Sequence, residues 1–362
     1  MIRCRRCVIP ETRPDTEFID GVCSACLAFD RRPEIDWGQR KQDLIDLLDR
    51  HHGRVMVPSS GGKDSTAQVL MMKELGADVT VVTATTCHLT PIGRQNINNL
   101  ARHARTYEVT PNQKDRAKLN RIGLEMVGDI SWPEHMAIFT TPFRMACDLK
   151  LPLIMYGENP QAEYGGPSRD SQEARTMTRR WVSEFGGFLG LRPQDVATMG
   201  IDMGDYIPPK DATLAHFAVE AHFLGAYLPW DSHANAKMAI EAGLVYERPC
   251  AANWWEWENL DNWQTSCHDA GMFRKYGYGR GAAQISVDIR AGLIPREYAL
   301  EWVRAHDGEF PEKYLGISFD EGAARIGMTE AEIVAQLDQF TNWDLFGRVD
   351  GRRPILKEFC LG

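Results

Sequence analysis

The sequence predicts an α/β protein: a parallel sheet wound with helices, a cysteine-held knot in front of it and a mainly helical region behind. Three observations carry that reading. An apolar run, Val55-Met56-Val57, leads through Ser60-Gly61-Gly62-Lys63-Asp64-Ser65 into a helix-forming run from Thr66 to Leu75, and a β-branched run from Val79 to Thr85 follows Gly76. Strand, helix, strand in that order reads as a right-handed parallel crossover. Two Cys-x-x-Cys pairs stand ahead of it, and the chain beyond residue 210 carries helix-start signals such as Thr329-Glu330-Ala331-Glu332 in capping-box form.

The expected division is 1–30 for the knot, 31–210 for the sheet domain and 211–362 for the helical region, and 362 residues give room for all three. Apolar residues at 43% and charged residues at 25% describe an ordinary soluble globular chain. A net charge of −9 argues against a nucleic-acid partner, while leaving room for a local basic patch. No apolar segment approaches the length of a bilayer crossing, and no apolar core follows the arginines of Met1 to Cys7, so a cytoplasmic protein without membrane contact is expected. Nine cysteines without a secretory signal argue against a disulfide framework.

Cys4-x-x-Cys7 and Cys23-x-x-Cys26, with fifteen residues between them, have the spacing of a zinc ribbon. Each pair makes a knuckle presenting two thiolates, and two knuckles complete the tetrahedral sulfur shell that zinc prefers; an iron–sulfur cluster is the rival occupant. Asp36 then caps a helix to about His51, with Trp37, Leu44, Ile45 and Leu48 on one face. Another helix carries Ile97, Leu100, Ala101 and Ala104, and Pro133 opens one that runs to about Lys150. Leu151 to Tyr156 reads as a buried strand, Gln161 to Pro209 as a mobile segment or short helices. Ser232 caps a helix that Gly243 ends, and Pro295 opens the next.

The stretch Ser60 to Ser65 is the strongest functional signal. Its glycines let the backbone approach phosphate oxygens, the free N–H groups of the first helical turn point at them, Ser60 and Ser65 add hydroxyls, and Asp64 can hold a magnesium ion. It is not the Walker A loop, because the lysine sits at a different offset. It resembles S-G-G-x-D-[ST], the PP-loop of the ATP pyrophosphatases, a superfamily with an adenine nucleotide alpha hydrolase-like, Rossmann-like fold. That resemblance implies ATP cleaved to AMP and pyrophosphate; a ligand-free glycine turn is the alternative.

Further stretches extend the likeness. They are Thr90-Pro91-Ile92-Gly93-Arg94-Gln95-Asn96, Gly157-Glu158-Asn159-Pro160-Gln161-Ala162-Glu163-Tyr164-Gly165, Glu258-Asn259-Leu260-Asp261-Asn262-Trp263-Gln264 and Lys275-Tyr276-Gly277-Tyr278-Gly279-Arg280, with Ser286 and Ile289-Arg290 beyond. Together with the cysteine pairs, their order resembles the N-acetyl sugar amidotransferases of bacterial surface-glycan (lipopolysaccharide) synthesis. The resemblance implies conversion of an acetamido group on a nucleotide-linked sugar into an acetamidino group. Adenylylation makes the amide oxygen a leaving group, and ammonia then attacks the activated carbon. It also implies a separate glutaminase, of the type paired with imidazole glycerol phosphate synthase, delivering ammonia through a channel to a pocket closed to water.

By position, the resemblance makes Ser60, Gly61, Gly62, Asp64 and Ser65 the ATP and Mg2+ residues, with Lys63 on a phosphate. Gly93 and Asn96 fall where the superfamily holds adenine, or serve as turn and helix-start residues. Glu158 and Asn159 are candidates for orienting the reacting groups, or for an unliganded turn at the strand's end. Lys275, Arg280 and Arg290 suit the diphosphate of the acceptor and Trp263 a stacking platform, with surface cations and core packing as the alternatives. His268-Asp269 is an acid/base candidate or a satisfied core pair.

Two stretches depart from the family pattern: Thr265-Ser266-Cys267-His268-Asp269-Ala270-Gly271, where Gly-Ile-His-Asp-Tyr is expected, and Gly281-Ala282-Ala283, where a threonine and an acidic residue are. Both leave the acceptor open. The rival reading is a PP-loop sulfurtransferase that carries sulfur on Cys87, Cys147, Cys250 or Cys267. A non-catalytic adaptor that retained the fold is the third.

Overall fold

A computed structural model describes residues 1–357 and Cys360 of the chain. Its centre is the predicted crossover: β3 (Arg54–Pro58), α3 (Lys63–Glu74) and β4 (Asp78–Ala84), with Arg54 opposite Asp78 and Pro58 opposite Val82 in a parallel pair. Gly76 ends α3 with φ of +81°, a conformation that only glycine adopts without strain. β5 (Arg105–Val109) extends the sheet beyond β4, while β6 (Leu153–Tyr156) and β7 (Glu220–Phe223) extend it on the other side of β3. The order β5-β4-β3-β6-β7 is parallel throughout.

Both sheet faces are covered, as a parallel sheet requires. Val55, Val57, Leu153 and Met155 point to one layer with Leu44, Leu47, Val69, Met72 and Leu100. Met56 and Ile154, one residue out of phase, point to the other with Leu119, Trp132, Met136 and Phe143. The first layer is α2 (Trp37–Arg50), capped by Asp36 through Gln39 N, with α3 and α4 (Pro91–Leu100). The second is α5 (Gln113–Val127) and α6 (Trp132–Leu149). Neither β5 nor α5 was anticipated, because β5 is an edge strand that alternates Arg, Tyr and Glu and lacks an apolar run. Helix α4 stops at Leu100, short of Ala104.

Four short helices fill the weakly patterned stretch, α7 (Pro160–Tyr164), α8 (Arg169–Glu173), α9 (Arg179–Phe185) and α10 (Pro193–Ala197), and α11 (Asp211–His216) follows it. The sheet then continues past residue 210 into β7, and α12 (Ser232–Glu241) packs on α3. Asp231, not Ser232, caps α12, accepting from Ala234 N.

At the front, the hairpin β1 (Phe18–Ile19) and β2 (Val22–Cys23) leads into α1 (Ser24–Arg31). The knot does not stand alone. It packs on α14 (Arg280–Arg290) and α15 (Arg296–His306), and Arg296 donates to the carbonyls of Cys4 and Cys7. Between them, α13 (Thr265–Tyr276) joins a core with the hairpin β8 (Lys313–Tyr314) and β9 (Ile317–Ser318), α16 (Phe319–Ala324) and α17 (Glu330–Gln339). Thr329 and Glu332 form the expected capping box on α17. A hairpin of β10 (Phe346–Asp350) and β11 (Arg353–Leu356) follows.

Trp263 corrects one expectation. It is fully buried in this core, 5.1 Å from Phe319 edge to face, and Gly322 approaches its ring so closely that a Cβ would overlap it. It is a core residue with no face for a ligand. Trp263→Ala should therefore cost about 3–5 kcal/mol of stability, read as a shift in the denaturant midpoint, with nucleotide affinity of the folded fraction unchanged.

Candidate functional site

The ligand position in an open parallel sheet lies outside the C-terminal strand ends where the order reverses, here between β3 and β6. A cavity of about 400 Å³ opens there, lined by the predicted loop, Gly157-Glu158 and the segment Trp257 to Asn262. The loop is built by a residue the sequence reading passed over. Ser59 accepts from Gly61 N at 2.8 Å and donates to Ser65 at 2.7 Å, closing the turn on itself. Gly61 has φ of +82°, and a Cβ there would lie 2.7 Å from Ile97 N, so both conformation and space require glycine. Gly62 caps α3 without a side-chain acceptor, which leaves first-turn N–H groups available to an anion.

Three carboxylates surround Lys63. Its ammonium, 3% exposed, is 2.5 Å from Asp64 Oδ2 and 3.4 Å from Glu258 Oε1, with the Trp255 ring 5.6 Å away. Burial works against the charge, but Asp64 and Glu258 outweigh it and hold Lys63 protonated. Asn235 on α12 fixes Asp64 Oδ1 at 3.0 Å, and Gln284 on α14 fixes Glu258 Oε2 at 2.7 Å. Burial also opposes the Glu258 charge, yet Lys63 and then Arg280 keep its pKa below the usual value. Glu158 behaves in the opposite way: burial and the neighbouring Asp64 push it up to about 8. The site thus pairs an ionised carboxylate with one that exchanges its proton near neutrality.

Several expected residues are engaged elsewhere. Asn159 caps α7 through Gln161 N and donates to the Ser171 carbonyl at 2.8 Å, so its amide holds the chain and does not face the loop cavity. Asn96 lines the cavity, but both its side-chain atoms are spent on the backbone of Val245 at 2.8 Å. Gly93 is the contact point for Asp261, where a Cβ would lie 2.6 Å from the Asp261 Cα. Lys275 donates to the Val127 carbonyl at 2.5 Å, Arg280 pairs with Asp269 at 2.9 Å, and Arg290 donates to the Glu163 carbonyl at 2.9 Å. None of these three lines the cavity. His268 and Asp269 are not an acid/base pair, because His268 bonds Asp129 and Asp269 bonds Arg280.

Glu258 and Asn235 are the functional positions that sequence reasoning missed. Glu258 had a signal, its place in a quoted motif, but its partner Lys63 is remote in sequence. Arg116, on α5, is a further surprise. It pairs with Glu134 at 2.9 Å in the cavity wall and keeps one buried Nη2 without a partner. A second cavity of about 450 Å³ shares Glu158 with the first and is lined by Arg31, Arg32, Arg40 and Arg175 with Trp37 and Trp230.

The four knot sulfurs are buried and lie within 4.8 Å of one another, with Cys4 and Cys26 at 3.9 Å and Cys7 and Cys23 at 3.6 Å. Four thiolates about 2.3 Å from one ion would stand about 3.8 Å apart, so the donor set fits a single tetrahedral metal. A multi-iron cluster would spread them further. The other candidate cysteines do not favour sulfur carriage. Burial pushes Cys87 and Cys250 up to about 12, and raises Cys147 and Cys267 as well, so all four stay thiols; none lines the loop cavity. Among the described residues no helix is long and apolar enough to cross a membrane.

Residues 254–357 match a family described as the C-terminal domain of WbpG-like LPS biosynthesis proteins. No curated protein matches the chain. Among solved structures it is similar to a predicted subunit of tRNA methyltransferase from Methanocaldococcus jannaschii, at 18% identity over 46% of this chain and 73% of that one, with a TM-score of 0.26. It is also similar to NMN synthetase from Francisella tularensis, at 12% identity over 51% of this chain and 92% of that one, with a TM-score of 0.28.

Glu158 gives a pH signature. Its folded pKa lies above the ordinary carboxylate value, so the folded state binds the extra proton and stability falls as pH rises from about 4.5 to about 8. In Glu158→Gln the melting temperature should fall less across that window than in the wild type; parallel profiles would contradict the assignment.

Proposed function

We propose that the protein is an ATP-dependent enzyme of surface-glycan synthesis that converts the acetamido group of a nucleotide-linked sugar into an acetamidino group, releasing AMP and pyrophosphate. The observation that carries the reading is Glu258. It belongs to the segment that matches the glycan-biosynthesis family, and it reaches 3.4 Å from Lys63 in the phosphate loop. The family segment and the loop therefore build one site.

Gly61, Gly62 and the uncapped first turn of α3 receive the phosphates, and Ser60 and Ser65 add hydroxyl donors. Asp64 offers the oxygen ligand for Mg2+, with Glu258 beside it. ATP, when bound, supplies the adenylyl group that makes the amide oxygen a leaving group. Lys63 stands by the charge that develops as pyrophosphate departs. Glu158, with a pKa near the working pH, takes the proton released when ammonia attacks the activated carbon. The second cavity is the acceptor's place, since it borders Glu158 and is lined by Trp37 and Trp230; its Arg31, Arg32 and Arg175 would exchange their partners Glu173, Glu163 and Asp43 for the diphosphate. Ammonia comes from a separate glutaminase, and the substrates place the reaction in the cytoplasm. The thiolate knot holds zinc as a fold element, since a closed four-sulfur site leaves no coordination position for chemistry.

Mass spectrometry tests the reading. Incubation with ATP, Mg2+, ammonium and a panel of nucleotide-linked acetamido sugars should replace oxygen by NH in one of them, with equimolar AMP. Glu258→Gln should lower kcat on the order of 100-fold. A thiolated product from a sulfur donor, with no amidine anywhere in the panel, would move the assignment to sulfur transfer; no ATP binding at all would leave the adaptor reading.

A further inference from the structure

Three side chains outside the proposed chemistry converge where the sheet domain meets the C-terminal helices. Asp129 lies in the α5–α6 connection, His135 in the first turns of α6 and His268 on α13, and one ligand atom from each falls within 4.8 Å of the others. His268 Nδ1 is 2.9 Å from Asp129 Oδ1, which also accepts from Ser131 N at 2.8 Å. On the other side, Asp129 Oδ2 stands 3.8 Å from His135 Nδ1, beyond hydrogen-bond reach, and that nitrogen is buried with no hydrogen-bond partner. The imidazoles meet edge to face at 5.2 Å, and Gly187 packs on His135 so closely that a Cβ there would lie 2.7 Å from its Nδ1.

An orphaned imidazole nitrogen facing a carboxylate oxygen across a non-bonding gap is a poor hydrogen-bonding arrangement and a good set of metal ligands. Around a first-row divalent ion with bonds of about 2.0–2.1 Å, neighbouring ligand atoms stand about 2.9–3.4 Å apart. His268 and Asp129 already have that spacing, and His135 Nδ1, 3.8 Å from Asp129 Oδ2, stands about 0.4 Å beyond it. The nearby cations are committed, Lys275 to the Val127 carbonyl and Arg280 to Asp269. Both histidines are partly exposed, which gives an ion a way in.

We propose that Asp129, His135 and His268 form a second divalent-metal site, fitted for Zn2+ and separate from the thiolate knot. Two imidazoles and one carboxylate are the donor set of that borderline ion. Its position makes it a clamp: it ties α13, and with it the segment beginning at residue 254, to the α5–α6 corner of the sheet domain.

Zinc per chain, measured on protein purified without chelators, tests the site. The wild type should carry one equivalent more than Asp129→Asn/His135→Gln, and Cys4→Ser/Cys23→Ser should still carry one. Equal zinc in the wild type and the Asp129→Asn/His135→Gln variant would overturn the proposal. If that variant fails to fold, cobalt substitution of the wild type decides. The expected result is a cobalt population with ligand-field bands but no sulfur charge-transfer band, alongside the thiolate-bound one; a spectrum carrying only the thiolate-bound signature overturns the site.

Discussion

The buried ammonium of Lys63 is the constraint around which the site is arranged. An amine with 3% exposure would lose its proton if it stood alone, and the carboxylates around it, Asp64 and Glu258 foremost, keep it charged. Removing one partner of such a pair leaves an uncompensated buried charge, at a cost of about 3–5 kcal/mol. The charge balance of the loop at residues 60–65 is thus complete only when the C-terminal segment is docked. The same docking aligns Leu89 with Asn262 in a β-bridge and seats Asp261 against Gly93, where no side chain would fit.

This dependence shapes the whole molecule. The knot rests on α14 and α15, whose neighbour α13 meets the α5–α6 corner through His268. Gln284 on α14 holds Glu258, and Asn235 on α12 holds Asp64, so helices far apart in the chain aim the two carboxylates at Lys63. The C-terminal region is therefore a wall of the cavity as well as a separate core.

The loop and the strand before it were legible because their signals are local: glycines at a turn, an apolar run before and a helix former after. The cysteine knot was legible for the same reason, since its spacing alone implies four thiolates in one place. Asn96, Asn159, Arg280 and Arg290 were misread because a polar side chain in a family-like motif says nothing about what it bonds. Asn96 and Asn159 proved to be tethers, and Arg280 and Arg290 are held by Asp269 and by the Glu163 carbonyl. Trp263 left a stacking platform and core packing open, and the structure takes core packing, because Phe319 and Gly322, which bury it, lie far along the chain.

By itself the sequence determined the α/β class, the crossover at residues 54–84, the glycine turn into α3 and the gathering of four cysteines, because each depends on residues close together and on backbone chemistry that spacing encodes. Only the tertiary structure decided the sheet order, the entry of β7 beyond residue 210, the meeting of Glu258 with Lys63, and the raised pKa of Glu158. Those depend on burial and on charges brought near from distant positions. Dielectric surroundings and through-space distance are set by packing, and local sequence does not contain them.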